Sequence, residues 1–262
     1  MVVLPTATVT PQPLAASVNG EGILLADFEA EVARLQAAAV ETGTELQPDQ
    51  INSLVIDELI DQVLLAQTAR NNGFRLGDED LDSRIDALAQ GMDGTDALNS
   101  WLQQNFYTQE SFRNWMRIGI EASWQQDQWL AEIPTTADQV HVRQIFVKDQ
   151  GEANSAYQQL VAGVNFLELA YEYDSLTGGD LGWLIPGYVF YPQLDEAIFD
   201  LDVGQFSNIV ETEIGYHLVY IEEKEANRAL TSDMQDKFRE DRFDALIDGL
   251  REASNIEVYV AG

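Results

Sequence analysis

The apolar spacing of this chain changes period at Pro134, and no single kind of secondary structure serves both sides of that change. Upstream, apolar residues recur every three or four positions, as a helix needs in order to turn one face to a core. Downstream they come in short runs of branched side chains, as a strand needs. A chain of 262 residues is long enough to divide its core in this way. The pattern predicts two domains of different texture.

AASVNGEGILLADF (15–28) reads as a short strand, an Asn-Gly turn, a second short strand and a helix start, with Asp27 as cap or first-turn acid. Phe28, Val32, Leu35 and Ala39 keep helical spacing up to a stop at Gly43. A longer helix follows, with Ile51, Leu54, Val55, Leu59, Val63 and Ala66 as a wide apolar stripe closed by Gly73. Helical segments continue to about residue 133. Beyond Pro134, VHVRQIFV (140–147) reads as a strand, helices are expected over 152–162, FLELAYEY and 192–200, and VGQFSNIVET and YHLVYIEE supply two more strands. A capped amphipathic helix then carries Met234, Phe238, Phe243, Leu246 and Leu250 as core positions, before a last strand, IEVYV, that needs a partner. The only similarly unpartnered strands lie near the N-terminus. The expected organisation is therefore a linker over 1–13, a helical domain over 14–135 completed by 227–262, and an inserted α+β domain over 136–226 with a small antiparallel sheet.

Charge narrows the partners. Forty-five acidic residues against fourteen Lys and Arg give a net charge of -31, which repels nucleic acid and anionic lipid alike. There is no cysteine, hence no disulfide frame and no thiol nucleophile. With two histidines and no EF-hand, Walker, Rossmann or nucleophile-elbow spacing, no metal and no cofactor is expected. No apolar run is long enough to span a membrane. The opening VVLPTATVTPQPL, with its prolines and threonines and no charge, reads as a stalk, so membrane contact is expected only through an anchor upstream of it.

The most specific stretch is GGDLGWLIPGY (178–188), followed by PQLDEAIFDLDVGQFSNIVETEIGYHLVYI. In order and spacing, over about 139–224, this resembles the parvulin family of peptidyl-prolyl cis/trans isomerases. VNGEGILLADF with LIDQVLLAQTARNNGFRLGDEDLD resembles the N-terminal chaperone module of SurA-like and PrsA-like extracytoplasmic foldases. The resemblance implies an isomerase and chaperone outside the cytoplasm, acting on unfolded or partly folded polypeptides with X-Pro bonds. It also implies a proline pocket of Leu181, Leu184, Val189, Leu194 and Phe199. Val189 and Leu194 stand where Met and Phe are usual, and one extra residue separates Gly187 from Pro192.

The polar centre departs further. His217 matches the last-strand histidine of the family, but the first-strand position is Gln144, which hydrogen-bonds and cannot titrate. His141 is three positions away, an odd offset that puts it on the opposite face of a strand. The loop YEYDSLTGG is about four residues shorter than usual, and Asp174 within it is the candidate acidic partner. No Lys or Arg occurs between Lys148 and Lys224, so no phospho-specific ligand is expected. Two readings stay open at this point: an active isomerase, or a holdase that keeps the parvulin fold and a peptide groove without catalysis.

Overall fold

The computed structural model describes residues 12–260, so the stalk expected over 1–13 lies almost wholly outside the described residues. Two compact units form. One takes in the chain up to Glu132 and again from Arg242, the other spans Ile133–Asp241.

The first unit opens with β1 (Leu14–Val18) and β2 (Glu21–Leu24), joined by the Asn19-Gly20 turn with φ of 53° and 86°. Positive φ at both central residues gives the turn whose twist suits a two-residue hairpin. Five helices follow: α1 (Leu25–Thr42), α2 (Pro48–Asn71), α3 (Asp78–Gly91), α4 (Thr95–Gln104) and α5 (Gln109–Leu130). Gly43, at φ 70°, ends α1 by returning its N–H to Val40 O, while Thr44 N–H reaches Ala39 O. The α2 face that meets the hairpin is Ile51, Val55, Ile56, Ile60, Val63 and Leu64, packed with Ala16, Val18, Ile23 and Phe28. Leu54, placed in the stripe by its spacing, is 54% exposed instead, because the buried face is rotated toward Ile56 and Ile60.

In the second unit β3 (Thr136–Val147) is the spine of a four-stranded antiparallel sheet ordered β4-β3-β6-β5. Its other strands are β4 (Asp180–Leu184), β5 (Val210–Thr212) and the long β6 (Gly215–Ala229). Helices α6 (Gln150–Val161) and α7 (Phe166–Tyr173) bury Ala153, Ala156, Leu160, Phe166 and Leu169 against Ile145, Val147 and Leu218. Helix α8 (Pro192–Phe199) buries Leu194 and Ile198 against Val140, Val142, Val219 and Ile221. Adjacent residues of β3 and β6 thus feed opposite cores, as a pleated strand requires.

The last helix, α9 (Ser232–Glu252), follows a bond from Leu230 N–H to Thr135 O. Sequence placed all of 227–262 with the helical domain. Met234 and Phe238 pack instead on Ile185 and Leu230 of the second unit, which therefore runs on to Asp241. Phe243, Ile247 and Leu250 pack on Leu65, Ala122 and Trp129 of the first. Finally β7 (Ile256–Val258) pairs antiparallel with β1, completing a sheet ordered β2-β1-β7.

Candidate active site

β3 and β6 place Phe146 opposite His217 and Gln144 opposite Val219. Two-residue alternation then puts Gln144, Phe146, His217 and Val219 on the face covered by α8. His217 is 3% exposed, and both its ring nitrogens are partnered. Nδ1 lies 3.0 Å from Gln144 Oε1, and Nε2 lies 2.9 Å from Thr212 Oγ1. The rings of Phe146 and Tyr191 flank it, with centroids 4.9 and 6.4 Å away.

Two arrangements with a neutral ring satisfy this chain. In one, Nδ1–H donates to Gln144 and the Thr212 hydroxyl donates to Nε2. In the other, the glutamine amide is turned so that its NH2 donates to Nδ1, Nε2–H donates to Thr212, and the hydroxyl donates to Gly215 O at 3.2 Å. Both hold the imidazole neutral, the form that burial favours by pushing the His217 pKa below its ordinary value of 6.5.

Gln144 is gripped through its backbone. Its N–H donates to Gly179 O at 2.8 Å, and a Cβ built on Gly179 would stand 1.8 Å from Gln144 O. Only glycine, here at φ +68°, permits that approach. This is the second glycine of GGDLGW, and its role is steric.

Asp174 organises the same loop. Its Oδ1 accepts from Leu176 N–H at 3.0 Å and Thr177 N–H at 3.3 Å, and its Oδ2 accepts from Gly179 N–H at 3.3 Å and from the Thr177 hydroxyl. The Thr177 hydroxyl, then the Leu176 and Thr177 amides, hold its pKa below the ordinary carboxylate value. Asp174 makes no hydrogen bond with His217. It supports Gln144 at one remove, through Gly179.

Arg143 ties the loop to the sheet, donating to Thr177 O at 2.8 Å, Gly178 O at 3.1 Å and Glu222 at 2.8 Å. His141 stands with Arg143, 2.9 Å from Glu222 and 3.1 Å from Asp180, stacked on Trp183. It is engaged away from Gln144.

The five apolar residues named from sequence fall in one cluster, yet they differ in what they can offer a ligand. Leu184 and Leu194 are 6% and 4% exposed and fill the core beneath the site. Leu181, Val189 and Phe199 are half-buried and keep surface free. Two residues were missed. Thr212 stood in plain view at the head of TEIGYH, whereas Tyr191 lies in the loop whose length departs from the family pattern and so gave no signal.

A family model described as "PPIC-type PPIASE domain" matches residues 147–223, and another described as "SurA-like N-terminal domain" matches residues 5–123. His217, Thr212 and the apolar cluster from Leu181 to Phe199 fall inside the first match; Gln144 lies just before it. The foldase protein PrsA of Caldanaerobacter subterraneus subsp. tengcongensis is 29% identical over 231 residues, covering 78% of this chain and 71% of that protein. The chaperone SurA of Hydrogenovibrio crunogenus is 26% identical over 257 residues, covering 80% of this chain and 54% of that protein. Among solved structures, the peptidylprolyl isomerase PrsA of Bacillus cereus aligns over 91% of this chain and 87% of its own, at 18% identity and a TM-score of 0.47. The chain thus joins a SurA-like N-terminal domain to a parvulin, PPIC-type peptidyl-prolyl isomerase domain, and its relatives are the PrsA and SurA folding factors.

Proposed function

We propose that the second unit accelerates cis/trans isomerisation of X-Pro bonds in unfolded polypeptides, that the first unit binds those clients, and that both act outside the cytoplasm. The location rests on the resemblance to extracytoplasmic foldases. The isomerase reading rests on one observation above all: a hydrogen-bonded Thr212–His217–Gln144 chain, its threonine and histidine buried, beside a half-buried apolar surface.

Rotating an amide faces a barrier of about 18–20 kcal/mol because resonance is lost at the twisted geometry. The twisted amide is less dipolar than the planar one, so an apolar, dehydrated surround favours it over the ground state. Leu181, Val189 and Phe199 offer the proline ring that surround. The hydrogen-bonded chain satisfies the polar groups behind it without introducing charge. No bond is made or broken, and no proton need leave.

The competing reading, a holdase with an idle parvulin fold, draws on Gln144 and on Leu194, which lies in the core. A protease-coupled cis-to-trans assay on Ala-Xaa-Pro-Phe peptides separates the two. The isomerase reading expects acceleration over buffer, reduced at least about tenfold in Phe199→Ala, a loss of some 1.4 kcal/mol in transition-state binding. No acceleration at high protein concentration leaves the holdase. Suppression of client aggregation checks the first unit separately.

A further inference from the structure

In the first unit, β2, α1, α2, α5 and the loop before α5 enclose a cavity of about 180 Å³. A cavity of about 150 Å³ accommodates benzene, whereas drug-sized ligands need about 300 Å³ or more. This space takes one side chain, not a cofactor.

Its walls are of two kinds. Ile23, Leu59, Val63 and Ile118 give an apolar wall, and Trp115, 43% exposed, also lines the space. Three carboxylates also line it, and two are already engaged: Glu31 with Arg34, and Glu21 with Arg70 at 2.6 Å. Arg34 is spent as well, its guanidinium 3.9 Å above the Tyr107 ring and 2.8 Å from Asn105 O. Asp27 is the exception. Among the described residues it has neither a hydrogen bond nor an ion pair, although it is half-buried. A half-buried carboxylate with no donor is a cost unless a donor arrives.

We propose that this cavity receives a basic side chain, Lys or Arg, of an unfolded client, with its methylene stem along Leu59, Val63 and Ile118 and its cationic head on Asp27. Long basic side chains divide in that way between an apolar stem and a charged tip. The molecule's net charge of -31 draws such segments in. Burial raises the Asp27 pKa, Arg34 opposes the rise and nearby Glu110 adds to it, so an incoming cation relieves a cost that burial places on the carboxylate. The proposal deepens the reading of the first unit as client-binding and is independent of isomerisation.

The test uses the full chain and fluorescein-labelled, proline-free peptides, which give the isomerase unit no X-Pro bond. One peptide carries a single lysine among apolar residues; its partners carry norleucine, arginine or glutamate there. Anisotropy should show the lysine and arginine peptides binding about tenfold tighter than norleucine, about 1.4 kcal/mol, with glutamate weakest. In Asp27→Asn the preference over norleucine should vanish while norleucine binding persists. In Ala30→Leu, which fills the cavity without touching charge, all the peptides should bind more weakly. Equal affinity for lysine and norleucine, or a preference that survives Asp27→Asn in a chain with unchanged melting, overturns the proposal. Loss of isomerase activity with this preference intact would strike only the isomerase reading.

Discussion

Gln144 and His217 share one hydrogen bond, and only one of the two can hold a charge. Burial lowers the His217 pKa, so the folded state binds that proton less readily than the unfolded chain does. The linkage sign follows: this residue's contribution is present in full above pH 6.5 and is lost as pH falls through 6.5 toward the depressed folded value. The isomerase rate should therefore stay level between about pH 7 and 9, where neither His217 nor Gln144 titrates. Gln144→His places a second imidazole on the first. It should raise kcat/KM by about tenfold and add a second titration to the acid side of the profile, beyond the one His217 gives the parent. A pH series of the protease-coupled assay on both proteins reads this, and an unchanged profile in the variant would remove residue 144 from the site.

At the scale of elements, the loop from Asp174 to Gly179 and its strand neighbours fix where that pair sits. Gly179→Ala forces a Cβ toward Gln144 O at 1.8 Å from a residue at positive φ, so either the loop or β3 must give way. The expected cost is about 1–3 kcal/mol of stability, with loss of isomerase activity. Thermal melting and the same assay check it, and peptide capture by the first unit should be unaffected. The sequence made this element legible only in part. The two-residue period of VHVRQIFV and YHLVYIEE sufficed to put Gln144 with His217 and to turn His141 away, because pleating is a local property. It could not show that Asp174 would cap its own loop with both oxygens, nor that Leu184 and Leu194 would sink into the core while Leu181 stays at the surface. Those outcomes depend on register shifts, as between His141 and Val142, and on which helix covers which face. Leu54 is the helical counterpart: its spacing fits the stripe, but the partner decides which edge of the stripe is buried.

For the whole molecule, the excess of acid has few internal outlets. Of fourteen Lys and Arg, ten already form ion pairs among the described residues, including Arg251 with Asp57 and Asp61 and Arg117 with Asp78. The remaining carboxylates repel one another in the folded state more than in the expanded chain, and salt screens that repulsion. Raising NaCl from about 0.01 M to about 0.5 M shortens the Debye length from about 30 Å to under 10 Å. Melting temperature should then rise, by roughly 2–4 °C for each kcal/mol relieved. The same change should slow association with a basic unfolded client, because long-range attraction is screened before the short contact at Asp27 is affected. Stopped-flow mixing over a salt series should therefore show the association rate falling steeply and dissociation changing little. The opposite pattern, dissociation carrying the salt dependence, would mean that charge acts only at contact and does not steer the encounter.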